Sequence, residues 1–240
     1  MKTKFTALAL LSAILAGVLL ALAAPARAAR PFITDDARLT TAHSCQLESW
    51  LRSYRDSHEA WALPACNPGG NLEFTVGGGR TRADGVPVSS DQVFQLKTLG
   101  RNLESNDWGW GLAVGTMRHP SLNPGPNGRG NNFAYLPVSK AMLDDRLVLH
   151  LNVGWLRDHL SRDNSMTWGL GGEFQATPRL LLIVESFGND RVRPYWQTGA
   201  RFAIVPNRVQ VDATVGRQFT GPVNTHWMSF GLRITPGAMF

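Results

Sequence analysis

Ten residues, Arg146-Leu147-Val148-Leu149-His150-Leu151-Asn152-Val153-Gly154-Trp155, alternate without a break. Leu147, Leu149, Leu151, Val153 and Trp155 make a purely apolar set, and the residues between them are mostly polar or small. Successive side chains of a strand point to opposite faces, so this stretch reads as a strand with one apolar and one wet side. A strand of a parallel sheet would be apolar on both sides. Two settings remain: a sheet over a soluble core, or a barrel wall with lipid outside and a polar lumen inside.

The same alternation recurs along the chain. Leu72, Phe74 and Val76 show it, then Phe94, Leu96 and Thr98 against Gln95, Lys97 and Arg101. Trp108 to Thr116, Met166 to Gln175, Pro194 to Phe202, Val209 to Gly216 and Trp227 to Ile234 repeat it. Phe133 to Ala141 is a strand interrupted by Pro137, which implies a bulge or a missing ladder bond. Leu180 to Phe187 carries Glu185 among apolar residues. About twelve strands of roughly ten residues result, with no helical period between them, and ten residues span a bilayer when tilted. The expected fold is an all-β, antiparallel up-and-down transmembrane barrel.

Three features favour lipid over a soluble core. Turns after even strands are tight (Asn67-Pro68, Ser105-Asn106, Asp144-Asp145, Thr177-Pro178, Pro206-Asn207), whereas several after odd strands are long and polar, above all His119 to Asn132. Trp108, Trp155, Trp168 and Trp196 fall near strand ends on the apolar face, as aromatic girdles do. The last residue is Phe240, although Pro236-Gly237 breaks the alternation before it.

The start of the chain fixes the compartment. Lys2 and Lys4 precede an apolar run from Phe5 to Ala24, and Pro25-Ala26-Arg27-Ala28 ends it in a small-x-small pattern. This is a secretory signal peptide over 1–28, cleaved before Ala29. Its loss lowers the formal charge from +6 to +3, so the chain is less basic than its composition suggests and no nucleic-acid partner is implied. Residues 29–43 are a leader with neither period, either a mobile periplasmic tail or a segment that enters and occludes the lumen; 44–240 is the barrel. Export leads to the outer membrane, where lipid, the barrel-assembly machinery and a small solute are the expected partners.

Within the first hairpin, a turn centred on Arg55-Asp56 sets Cys45 opposite Cys66, Trp50 opposite Trp61 and Arg52 opposite Glu59. The two cysteines have no metal spacing, and in an oxidising compartment they are expected to form a structural disulfide. The polar faces nominate a lumen lining of Lys97, Arg101, His150, Asn152, Glu173, Glu185, Tyr195, Gln197, Arg201, Asp212 and Arg233. Arg201 lies on the strand between those of Glu185 and Asp212 and is expected to pair with one of them. The lining is either a narrow polar path or a closed salt-bridge network that props the wall. No metal or cofactor is expected. An enzyme is not expected either: His119, His159 and His226 lie beside Ser121, Ser161 and Ser165 in loops, but no spacing joins a nucleophile to a base and a third group.

The leader Arg30-Pro31-Phe32-Ile33-Thr34-Asp35-Asp36-Ala37, with Cys45-Gln46-Leu47-Glu48-Ser49-Trp50, Pro137-Val138, Asp145-Arg146-Leu147 and Leu149-His150-Leu151-Asn152, resembles a family of proteobacterial outer-membrane proteins filed under a meta-pathway of phenol degradation. The resemblance covers most of the mature chain. It implies a barrel linked to uptake of aromatic or other hydrophobic small molecules, hence a channel or transporter, and supplies no catalytic residues. A non-conducting structural or surface-interaction barrel is the alternative.

Overall fold

The computed structural model describes residues 33–118, 132–159, 161–222, 225–237 and 239. The signal peptide, most of the loop from His119 to Asn132, and Phe240 lie outside them. Twelve strands follow in order: β1 (Ser44–Tyr54), β2 (Ser57–Asn67), β3 (Glu73–Ala83), β4 (Ser89–Arg101), β5 (Trp108–Arg118), β6 (Asn132–Met142), β7 (Leu147–Arg157), β8 (Asn164–Gln175), β9 (Leu180–Asn189), β10 (Tyr195–Val205), β11 (Val209–Gln218) and β12 (Trp227–Ile234). Each pairs antiparallel with its sequence neighbours, and β1 pairs with β12, so the sheet closes into a barrel.

Closure leaves each side chain one of two destinations, and alternation decides which. On β7, Leu149, Leu151 and Val153 are exposed on the outer surface while Val148, His150 and Leu156 are buried inside. The buried set of the whole molecule is accordingly polar: a lumen lined by glutamates, glutamines, threonines and arginines, with only small apolar clusters. Trp155, Trp168 and Trp196 lie toward one rim of the outer face, and Trp108 and Trp110 toward the other.

Short turns, residues 68–72, 102–107, 143–146, 176–179 and 206–208, gather at one rim. Two of them clasp each other: Asn106 Nδ2 donates to Asp144 Oδ1 at 2.8 Å, and the Asp144 N–H returns a bond to Asn106 Oδ1 at 2.8 Å. Asp144 and Asp145 take left-handed backbone, with φ of 54° and 64°, which aspartate tolerates better than most residues. The opposite rim carries the longer connections.

In the first hairpin the register sets Cys45 against Cys66, Trp50 against Trp61 and Arg52 against Glu59. The cysteines are bonded, the indoles stack with centroids 5.4 Å apart and planes within 7°, and Arg52 Nη1 lies 3.9 Å from Glu59 Oε2. Both tryptophans lie on the inner face and the disulfide on the outer one. Pro137 points inward in β6. The β6–β7 ladder runs past it unbroken, but the β5–β6 register skips from Trp110↔Val138 to Ala113↔Tyr135, where the missing N–H falls.

The face assignment makes a test. Leu151, exposed on the outer face, lies beside the centre of β7, so Leu151→Arg puts a charge on the lipid side near mid-strand, at about 2–4 kcal/mol if that side is in hydrocarbon. It should abolish the heat-modifiable folded band on gels, whereas Leu151→Ala should keep it. Equal folding of both variants would count against the outward assignment.

Candidate functional site

The lumen is not filled by the wall's own side chains. Residues 33–43, which precede β1 and which we call the strap, run inside the barrel from the short-turn rim. Thr34, Asp36, Ala37 and Thr40 are buried there. At the root, the His43 N–H donates to the Asn67 carbonyl at 2.8 Å, and Asn67 Nδ2 donates to the Thr40 carbonyl at 2.7 Å.

The strap has no periodic partner for its backbone, so its N–H groups need acceptors from the wall. Glu73 on β3 takes the Thr40 N–H at 2.6 Å, Ser139 Oγ on β6 takes Ala37 at 2.8 Å, and Glu185 on β9 takes both Ile33 at 2.8 Å and Thr34 at 2.7 Å. Glu185 also receives the side-chain amide of Gln197. The Asn152 amide, oriented to satisfy both groups, accepts from the Asp35 N–H and donates to the Asp35 carbonyl, each at 2.8 Å.

Ion pairs hold the strap's side chains. Lys97 Nζ donates to Asp35 Oδ1 at 2.8 Å and lies 3.6 Å from Asp36 Oδ1, while the Tyr135 hydroxyl donates to the other Asp35 oxygen at 2.8 Å. Arg38 Nη1 reaches Glu173 Oε2 at 3.2 Å and Asp36 Oδ2 at 3.4 Å. Hydrogen bonds to charged groups contribute about 1.5–3 kcal/mol each, so this set is strong for a segment of its length. Space is matched too. A Cβ built on Gly169 would stand 2.5 Å from Thr34 Oγ1, so the strap passes where the wall lacks a methyl group.

Ser139, His150 and Glu173 stand in a row on three adjacent strands. Ser139 and His150 are register partners, with Oγ 2.8 Å from Nδ1, and His150 Nε2 lies 3.7 Å from Glu173 Oε2. A hydroxyl, an imidazole and a carboxylate in line invite comparison with a hydrolytic triad. Here the serine oxygen accepts the Ala37 N–H, Ser139 is 1% exposed, and Glu173 faces Arg38. With the strap in place a substrate carbonyl has no room at this hydroxyl, and the row seats the strap.

Away from the strap, Arg233 Nη2 donates to Gln46 Oε1 at 2.6 Å, and its Nε lies 3.7 Å from Glu48. Toward the long-loop rim, Tyr54, Phe187, Tyr195 and Trp227 pack as one buried aromatic cluster, with Ile33 of the strap against it. Phe187 and Tyr195 stack at 5.7 Å, Trp227 Nε1 donates to Gln197 Oε1 at 3.3 Å, and the Arg52 guanidinium lies 5.6 Å from the Trp227 ring.

Of the residues nominated from the sequence, Lys97, His150, Asn152, Glu173, Glu185, Tyr195, Gln197, Arg201, Asp212 and Arg233 are buried on the inner face. Arg101 is not among them. The β4–β5 register shifts between Leu99 and Arg101, which turns Arg101 outward, where it pairs with Asp107 and lies 4.6 Å from the Trp108 ring. There the Trp108 N–H, with Arg101, holds the Asp107 carboxyl below its usual range. Of the two expected partners of Arg201, one is turned away and the other is in register. Leu181, not Glu185, stands opposite it on β9, and Glu185 is turned to the strap. Arg201 faces Asp212 across the β10–β11 ladder, yet none of its guanidinium nitrogens makes a hydrogen bond. The lining drawn from the sequence left out Glu73, although alternation with Leu72, Phe74 and Val76 sets it on the polar face, and Tyr135 and Ser139, whose faces Pro137 obscures.

A closed twelve-stranded antiparallel sheet with an apolar outer face and a polar lumen is the fold of outer-membrane β-barrels. The chain belongs to the family described as uncharacterised conserved protein UCP029691, whose model matches residues 16–235. No curated protein matches it. Among solved structures, the fold is shared with the KdgM porin, at TM-score 0.59 and 10% identity over 80% of this chain and 99% of that one. It is also shared with the NanC porin, at TM-score 0.56 and 10% identity over 80% and 99%. The COG4313 outer membrane channel from Pseudomonas putida F1 aligns at TM-score 0.57 and 12% identity, over 87% of this chain and 100% of that one. At these identities the likeness is one of fold.

The docking of the strap is itself testable. Glu185→Ala removes the acceptor of two strap N–H groups. Amide exchange at Thr34 should rise by about tenfold or more, the effect of losing roughly 1.4 kcal/mol or more of local protection, with strand amides unchanged. Unchanged exchange at Thr34 would show that Glu185 does not hold the strap.

Proposed function

We propose that this protein is an outer-membrane channel for small solutes whose lumen is closed by its own N-terminal strap. One observation carries the reading: the wall leaves enough room for an extended chain segment, which it holds through polar contacts rather than apolar packing. A barrel built only as a prop can fill its interior with wall side chains, as eight-stranded ones do. Twelve strands leave a lumen here that residues 33–43 occupy, and their withdrawal toward the periplasm would open a polar path. Porins and a channel share the fold, which supports the same reading. Small aromatic compounds, the solutes implied by the resemblance to the phenol meta-pathway group, would meet the rings of Tyr54, Phe187, Tyr195 and Trp227 at the long-loop end.

The experiment is single-channel recording in planar bilayers, comparing the full chain with an Asp35→Asn, Arg38→Met variant that weakens two anchors of the strap. The wild type should show rare, brief openings and the variant long-lived ones. If the variant folds and still passes no current, the barrel is a closed structural element and the strap is part of its permanent core.

A further inference from the structure

Among the described residues, the inner face of the wall carries seven carboxylates, Glu48, Glu59, Glu73, Asp91, Glu173, Glu185 and Asp212. It carries four permanent cations, Arg52, Lys97, Arg201 and Arg233. The strap's own Asp35 and Asp36 go to Lys97, and its donors go to the carboxylates: three backbone N–H groups to Glu73 and Glu185, and the Arg38 guanidinium to Glu173. The second observation is independent of the carboxylates. The long-loop end of the lumen presents the Tyr54–Phe187–Tyr195–Trp227 cluster, whose rings already attract one guanidinium, that of Arg52. Aromatic faces and carboxylates both favour cations.

We propose that the solute is a small N–H-bearing organic cation, an amine or guanidinium, and that it competes with Arg38 for Glu173. This rests on the channel reading above and, for the class of solute, replaces the aromatic compounds implied by the resemblance with one drawn from the lumen itself. Arg38 is then a tethered stand-in for that solute: its charge reaches the same carboxylate oxygen from a segment that leaves when a free cation takes its place. Glu173 suits the exchange because only its Oε2 is engaged by Arg38, and Oε1 carries no hydrogen bond. Binding of the cation and seating of the strap oppose each other through that group, so each weakens the other by the same factor.

Two measurements test this and separate its failure from that of the channel reading. The first is the reversal potential of the Asp35→Asn, Arg38→Met variant across a potassium chloride gradient. Its sign should be that of cation flow, and it should move toward zero when Glu173→Gln is added. A zero or anion-selective potential overturns the cation proposal while leaving a channel. The second needs no current: amide exchange at Ala37 and Thr40 in the full chain, with methylguanidinium chloride, with sodium chloride at equal ionic strength, and with neutral N-methylurea. Methylguanidinium alone should speed exchange, by about fivefold or more, a modest coupling between two ligands. Arg38→Met, which leaves the wall intact, should remove that dependence. Equal effects of sodium and methylguanidinium overturn the proposal, because screening then explains the release. If the variant never conducts but methylguanidinium still acts through Arg38, the cation site stands and the channel reading falls.

Discussion

An unpaired peptide group in hydrocarbon costs several kcal/mol, and that penalty organises everything else in this molecule. It is met by the seam between β1 and β12, where the register from Leu47↔Ile234 to Tyr54↔Trp227 leaves the sheet no edge. Once the seam is made, every side chain of the wall faces either outward or into the lumen. The apolar half goes outward, and all the charge that the strands carry on their other face is enclosed together. Enclosed charge is costly unless it finds partners. The wall supplies some, as in Arg233 with Gln46 and Glu48, and the strap supplies others, to Glu73, Lys97, Glu173 and Glu185.

The hold on the strap is therefore strong, and its polar character suits the withdrawal proposed above. Breaking a buried ion pair by deleting one partner costs about 3–5 kcal/mol, because the remaining charge stays buried and alone. Withdrawing the strap differs, since water enters as the segment leaves and solvates Lys97, Glu73, Glu173 and Glu185. The same contacts made through apolar side chains would have exposed a greasy lumen on opening. Polar seating, with Asn152 gripping the Asp35 backbone on both sides and Gly169 making way for Thr34, makes the seated form specific and would leave the lumen wettable on the proposed opening.

Much of the wall was legible in the sequence because a period of two is hard to mistake, and because the first hairpin announced its register three times over, through cysteines, tryptophans and an Arg–Glu pair. Arg101 was misplaced for a local reason: an irregularity between Leu99 and Arg101 inverts the faces, and nothing in Thr98-Leu99-Gly100-Arg101 marks it. The Arg201–Glu185 pairing failed because adjacent strands were granted a level alignment, whereas the ladder sets Gln197 beside Glu185. For the strap, entry into the lumen was one of two readings, but its partners could not be read. Its polar contacts are with eight side chains on seven strands, none near it in sequence, and a stretch without period carries no record of what it meets. Ser139 is the plainest case, an unremarkable serine in Pro137-Val138-Ser139 until register sets it beside His150 and under Ala37.

The strap comes first in the chain, yet its tip is held by a residue that comes almost last among its partners: Thr34 and Glu185 are 151 positions apart. A segment that precedes every strand must therefore wait, without its last seat, until the ninth strand arrives. Contacts of such separation form late, since they need the intervening chain to be placed already. Insertion of residues 33–43 is then the closing event of biogenesis, and a barrel still open at its seam would be a barrel still unplugged. On the channel reading, quality control and permeability would share one checkpoint, because the lumen is plugged only when the wall around the strap is complete.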